Sequence, residues 1–443
     1  MAPARPASRL STWLTRWQPI LPLFVAEFVV WLGFGAFLPI LPLYLTSRGI
    51  DVATLGLIIA AWPAARLVME PVFGWIADRT ARKPIMVVAL LVNALLLPLP
   101  LFTGGASAFI VLRALEGLAT AAYDPAARGF LVDATPEDRQ GEAFGLYGAA
   151  QMAGLLFGPA IGGLGASFFG DEAFVFWLAA GASAAAAVVV AVAVREGPRT
   201  RVATGIPVEG VTELSRSPST AVSTEGRPTA AGAPTGPGRM QPTRLLNRLL
   251  ISAVVINAGG AFAQGTYEVI WSLFLTSLGA SLDLVGATFA TFAIPILVLS
   301  PLAGRIVDRR GGLMFIVVGS VAPIVAGICY TLIQDPLLAI PLILLESTGF
   351  AILFPALFAV VAGGSPVDRS STAQGLFGAA GTVGFIVASL VAGQLAAVDI
   401  RLPFWAFVVV SSVSLIIGLA IGAGPIRAMW AGRRQAADQA AVG

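Results

Sequence analysis

The sequence predicts an all-α membrane protein of twelve transmembrane helices arranged in two six-helix bundles. Three observations carry this. The 443 residues are 57% hydrophobic and only 12% charged, with a mean hydropathy of +0.86. Soluble domains average about 45–50% apolar and about 25% charged residues, so a chain this poor in charge needs lipid as part of its solvent. Twelve apolar stretches each reach the roughly 20 residues that a helix needs to cross a bilayer. The second half then repeats the first at one constant spacing: Leu45-Thr46-Ser47 meets Leu275-Thr276-Ser277, an offset of 230, and Gly56 meets Gly286.

The elements follow in order. Residues 1–17 carry Arg5, Arg9 and Arg16 ahead of an apolar run that continues from Trp17 to Leu45. No small-residue cleavage site interrupts that run, so it reads as a cytoplasmic lead into a first span and not as a signal peptide. The first bundle, 18–195, holds spans at roughly 18–46, 52–74, 84–104, 106–130, 143–169 and 173–194. Residues 196–245 are rich in Pro, Gly, Ser and Thr (SRSPST, GRPTAAGAPTGPGRM) and read as a cytoplasmic linker. The second bundle, 246–426, holds spans near roughly 247–277, 283–305, 312–333, 336–362, 373–398 and 403–426. A cytoplasmic tail, 427–443, closes the chain.

Charge orients the spans. With the N-terminus inside, only Arg48 and Arg401 of the 27 Lys and Arg residues fall outside, and Arg66 and Arg113 fall within spans. Both termini are therefore expected in the cytoplasm. The pI of 9.4 is explained by this bias, with no nucleic-acid partner. The chain has one cysteine, Cys329, and no histidine. Disulfide frameworks, thiolate metal clusters and Ser/His or Cys/His nucleophiles are excluded. No metal, cofactor or nucleotide-binding loop is expected, and the chain is read as a monomer and not as an enzyme.

Charges inside spans are costly, about 2.5–3.5 kcal/mol each on insertion scales, and are functional candidates by default. They are Glu27 in span 1, Arg113 and Glu116 one turn apart in span 4, Glu268 in span 7 and Glu346 in span 10. A carboxyl group stripped of water resists ionisation and can exchange protons near neutral pH, a task that histidine cannot perform here. Glu27 is expected to carry the proton. Arg66 and Glu70, one turn apart in span 2, read as local helix support or part of a cytoplasmic cluster. Asp124 and Asp133 read as gate or loop residues. A substrate cavity is expected to draw on Trp31, Phe34, Tyr123, Asn257, Gln264, Tyr267, Glu268, Trp271 and Glu346. Acids beside aromatic faces suit lipophilic cations.

The loop after span 2 reads Gly74-Trp-Ile-Ala-Asp78-Arg79-Thr-Ala-Arg82-Lys83-Pro84, and the repeat carries Gly304-Arg-Ile-Val-Asp308-Arg309-Arg310-Gly311-Gly312. Both resemble the G-x-x-x-D-R-x-G-R-K signature of the major facilitator superfamily, with Ala81 and Gly312 as the departures. Arg113-Ala-Leu-Glu116-Gly117 is similar to that family's R-x-x-Q-G motif. Gly154-Leu-Leu-Phe-Gly158-Pro159-Ala-Ile-Gly162-Gly163 is similar to the G-x-x-x-G-P-x-x-G-G motif of its proton-driven exporters, and Pro39 with Pro42 fits the same branch.

The resemblance implies the major facilitator fold. It also implies a latch at the cytoplasmic face built from Gly74, Asp78, Arg79, Arg82, Gly304, Asp308 and Arg309. It further implies that Arg113 faces span 1, and so pairs with Glu27. The expected function is proton-coupled efflux of lipophilic, cationic small molecules by alternating access in a bacterial inner membrane. Alternatives are a nutrient or metabolite carrier of the same fold and, in another class, a membrane-embedded enzyme.

Overall fold

A computed structural model describes residues 17–136, 139–196, 245–310, 312–365 and 370–442. Among them, twelve helices are long and apolar enough to cross a membrane. Spans 1 to 6 are Leu21–Ser47, Val52–Arg79, Arg82–Leu101, Ala106–Ala134, Glu142–Phe169 and Ala173–Ala193. Spans 7 to 12 are Arg248–Ser277, Leu282–Gly304, Leu313–Tyr330, Pro336–Gly364, Thr372–Ala396 and Leu402–Gly432. The linker and the N-terminal segment lie outside the described residues, except for their edges at Trp17, Glu196 and Leu245. The chain is a multi-pass membrane protein.

Local chemistry sets the helix ends. Asp51 caps span 2 by accepting from the Thr54 amide at 2.9 Å and the Thr54 hydroxyl at 2.6 Å, which holds its carboxyl below the usual range. Asn247 caps span 7 through the amides of Leu249 and Leu250. Span 1 is broken into Leu21–Phe37 and Leu41–Ser47. Pro39 lies in the break and has no amide proton to continue the ladder, and Pro42 opens the second piece.

The repeat extends to turn geometry. Span 1 ends with the Gly49 amide on Thr46 and the Ile50 amide on Leu45, at 3.0 and 3.1 Å; span 7 ends with Gly279 on Thr276 and Ala280 on Leu275, at 2.9 and 3.0 Å. Both glycines take positive φ, 83° and 88°. That left-handed stop is one that other residues adopt only with strain.

Span 12 differs from expectation. Its helix does not end near 426 but runs Leu402–Val442, through Pro425. The stretch beyond is rich in Ala, Arg and Gln, all good helix formers, and they outweigh its one glycine, Gly432. Trp430 on it is buried, donates to the Val307 carbonyl at 2.9 Å and lies against Gly312.

Spans 1, 5 and 6 pack together, as do 2 with 4, and 3 with 4 and 6; in the second half 7 packs on 11 and 12, and 10 on 8 and 9. Two cross-bundle seams, span 2 on 11 and span 5 on 8, join the halves. A side chain on Gly56 would meet Ser389 and Gly393, and one on Gly286 would meet Pro159 and Gly163. Each of these residues is the 230-residue mate of another, so one pseudo-twofold contact is made twice.

Gly154 and Gly162 let span 5 lie against the backbone of span 1 at Phe28, Leu32 and Ala36. Gly158 does the same at Leu32 and Ala36. The exporter-type motif thus serves two interfaces: its Gly154, Gly158 and Gly162 within the bundle, and its Pro159 and Gly163 between bundles. The seams lie toward one face only. At the other face, which bears the span 2–3 loop and is termed here the basic face, Gly145, Gly148, Gly375 and Gly378 meet nothing within 4 Å. The halves are closed at one end and parted at the other.

Candidate functional site

Between the halves lies a cavity of about 1160 Å³ that both bundles line. Trp31, Phe34, Asn257, Gln264, Tyr267, Glu268, Trp271 and Glu346 line it, whereas Tyr123 does not. Tyr123 is turned into the first bundle, where its hydroxyl has an acceptor. Asn257 also joins two helices, donating to the Phe377 carbonyl at 2.9 Å.

The charged residues fall at two depths, both anchored on span 4. The outer group centres on Arg113, which is buried. Its guanidinium bonds Glu116 at 2.8 Å, one turn away, and faces Glu268 of the other bundle at 3.6 Å. It also lies 5.6 Å from the Phe37 ring and 5.8 Å from the Trp62 ring, so aromatic faces cover the rest of the cation. Across the cavity, Glu346 accepts from the Tyr330 hydroxyl at 2.9 Å. Tyr330 in turn packs edge-on against Trp271, 5.0 Å between centroids.

Arg113 does not pair with Glu27. Glu27 is wholly buried and accepts from Trp31 Nε1 at 3.0 Å, Gln151 Nε2 at 2.6 Å and the Tyr123 hydroxyl at 2.8 Å. Tyr123 is ten residues beyond Arg113 on the same helix, which at about 1.5 Å per residue puts Glu27 about 15 Å nearer the basic face than Arg113. Arg113 therefore reaches the second bundle instead. All three partners of Glu27 are donors, as an acceptor-only carboxylate requires. Trp31 stands between Glu27 and the cavity.

The inner group is a quartet. Arg66 pairs with Asp124 and, at 3.5 Å, with Glu70; Arg128 pairs with Glu70 at 3.3 Å and with Asp124 at 3.5 Å. Arg66 and Glu70 are thus not simple local support within span 2, because each also reaches span 4. Arg66, Glu70 and Arg128 line the cavity, and Arg66 also lies over the Trp62 ring at 4.7 Å. Asp124 is buried behind them, beside a small chamber of about 60 Å³ that Asn93, Ser183 and Tyr123 share.

The span 2–3 loop is tied within its own half. Arg82 meets Asp78 at 3.6 Å and Asp133 at 2.9 Å. The amides of Arg82 and Lys83, at the start of span 3, are capped by Glu196 at 2.8 and 3.2 Å. Asp78 is 73% exposed, and Arg79 folds over Trp75 at 4.0 Å. Gly74 lies 3.8 Å from Pro125 and its mate Gly304 lies 3.9 Å from Pro355, measured from an added Cβ. The side chains of Asp308 and Arg309 lie outside the described residues. Gln151, Glu196 and Tyr330 were not singled out from the sequence. An amide, a residue at a linker edge and a tyrosine carry no spacing signal of their own.

The family model described as Major Facilitator Superfamily matches residues 23–223 and 250–437. The chain is 27% identical over 146 residues to the quinolone resistance protein NorA of Staphylococcus aureus, covering 33% of this chain and 38% of that protein. It is 30% identical over 141 residues to multidrug resistance protein 2 of Bacillus subtilis, covering 32% and 35%. The matched stretch spans little more than a third of either relative. Among solved structures, a variant of the nucleoside transporter NupG superposes with a TM-score of 0.71 at 16% identity, covering 91% of this chain and 99% of that one. A bacterial homologue of the human lysosomal transporter Spinster, inward-facing and occupied, gives 0.68 at 13% identity, covering 95% and 96%.

Proposed function

The chain belongs to the Major Facilitator Superfamily, and on that footing we propose that it is a proton-coupled exporter of lipophilic, cationic small molecules that works by alternating access. One observation carries the reading. The cavity is walled by aromatic and aliphatic side chains, and among the described residues Glu268 and Glu346 are the charged groups that the second bundle presents to it. Aromatic faces together with carboxylates favour cations. Three lining amides, Asn257, Gln264 and Gln374, are few for a polyhydroxylated substrate. The resistance proteins among the relatives support export.

The basic face, toward which the cavity opens, is assigned to the cytoplasm of a bacterial inner membrane by its Arg and Lys content. Glu268 and Arg113 supply a coupling device. While Glu268 is ionised it holds Arg113 across the bundle interface. Once it takes a proton the attraction is gone, Arg113 keeps Glu116, and the halves are free to move. A substrate cation competes with that proton for the same carboxyls.

The test uses inside-out vesicles under an imposed pH gradient, with a lipophilic cationic dye as cargo. Gradient-driven uptake is expected, collapsing with a protonophore and in Glu268→Gln and Glu346→Gln. Uptake that ignores the protonophore would make the protein a facilitator.

A further inference from the structure

The quartet of Arg66, Glu70, Asp124 and Arg128 is left unused by that coupling device, and its surroundings say what it fits. Its mates in the second half, 230 residues on, are Ile296, Ser300, Phe354 and Phe358. One wall of the inner cavity is therefore ionic and the opposite wall apolar, since Ile296, Phe354 and Phe292 line the cavity across from it. Among the described residues the second bundle offers no charge at this depth: Glu268 and Glu346 belong to the outer group. Asp124 lies eleven residues beyond Arg113 on span 4, so the two groups are about 16 Å apart. The quartet is not one half of a cross-bundle ion pair.

Alternating access requires that the parted ends close, and closure presses this ionic patch against Ile296 and the phenylalanines. Four charges can be buried so only because they sum to zero and each has two opposite partners. A net charge trapped there would be costly. A ligand binding at the patch must leave the sum at zero. A monocation leaves an excess of one positive charge, and a monoanion an excess of one negative charge. A head carrying both charges leaves none, and it can exchange partners with the quartet: its anion on Arg128, which is half-exposed, and its cation on Glu70.

From this we propose that the quartet is a subsite for zwitterionic amphiphiles, with the dipolar head on spans 2 and 4 and the apolar body against the wall of Phe292 and Phe354. The proposal rests on the cavity being the substrate route but not on proton coupling.

The probes are three amphiphiles with one tail: decyl betaine, decyltrimethylammonium and decanoate. Their binding to the purified protein in nanodiscs is measured by calorimetry without a pH gradient, with empty nanodiscs as the blank. Because Glu268 and Glu346 hold cations elsewhere in the same cavity, the ranking is read in Glu268→Gln/Glu346→Gln. There the betaine is expected to bind about tenfold or more tightly than either ion, the scale of one charge-assisted hydrogen bond. The Arg128 variants are made in this background. Arg128→Gln leaves the patch with an excess negative charge. The betaine should weaken about tenfold while the trimethylammonium probe tightens, and Arg128→Lys should restore the order seen with Arg128.

Loss of all three probes in equal measure in Arg128→Gln would mean that the quartet only holds spans 2 and 4 together. A preference for the cation with Glu268 and Glu346 neutralised would overturn the proposal outright. Failure of the vesicle assay with the betaine ranking intact would strike the coupling reading and spare this one.

Discussion

Among the described residues Glu27 makes no salt bridge and accepts three hydrogen bonds, so its chemistry is set first by those bonds. A glutamine there brings an amide nitrogen into a ring of donors, and one of them must lose its acceptor. Glu27→Gln is therefore expected to lower thermal stability by about 1–3 kcal/mol, the cost of one buried unsatisfied group, and to abolish gradient-driven export. Tyr123→Phe removes one donor, keeps the carboxylate and should cost less. Export by Glu27→Gln with an unchanged pH profile would leave coupling to Glu268 and Glu346 alone. That Glu27 is deep was legible in the sequence, because depth follows from position along one helix. Its partners were not, since they depend on the relative level of spans 1, 4 and 5. Arg113 misled for the same reason: it lies about 15 Å too far toward the closed end.

At the scale of helices, the most exacting contacts are the glycine seams. Gly286 lies against Pro159 and Gly163, and Gly56 against Ser389 and Gly393, each pair backbone to backbone. Gly286→Leu inserts a side chain where none fits, and overpacking costs about 1–3 kcal/mol. Only the state closed at this end bears that cost, so the population should move toward parting there. Labelling rates of a cysteine placed at the outer end of span 8 should rise at least several-fold over the Gly286 parent; unchanged rates would show that the seam relaxes locally.

The helices and the repeat were the readable part of this chain. Apolar length and the 230-residue offset are local or periodic signals, and they survive in one dimension; the turn glycines Gly49 and Gly279 obey the same offset but were not singled out. The long helix of span 12 was hidden by Pro425, which signals an end but is absorbed here. Gly312 looked like a missing arginine. In the structure Trp430, from the last helix, fills that place, and no spacing rule links the two.

For the molecule as a whole the question is what holds the basic face shut in the other state. Here that face is parted, and among the described residues Asp78 has its ion pair with Arg82 of its own half at 3.6 Å, with most of its side chain in water. An exposed pair of this kind is worth little, about 0–1 kcal/mol. The value of Asp78 is expected to lie in the closed state, where the inner ends of the second bundle come up to it and remove that water. Asp78→Asn should then leave the parted state untouched and weaken the closed one by about 1.5–3 kcal/mol, a ten- to hundredfold change in the ratio. Substrate should still bind from the basic face, but turnover should fall because closure is disfavoured. Glu142 and Thr372 are exposed mates at the start of spans 5 and 11, so a spin label on each reports the separation of the halves. Cys329, the one native cysteine, is replaced by serine first. In Asp78→Asn the short-distance population should shrink toward the parted distance, in detergent and in nanodiscs alike. If the distribution matches that of the parent, Asp78 only orders the loop through Arg82, and the closed face must be held by the span ends themselves.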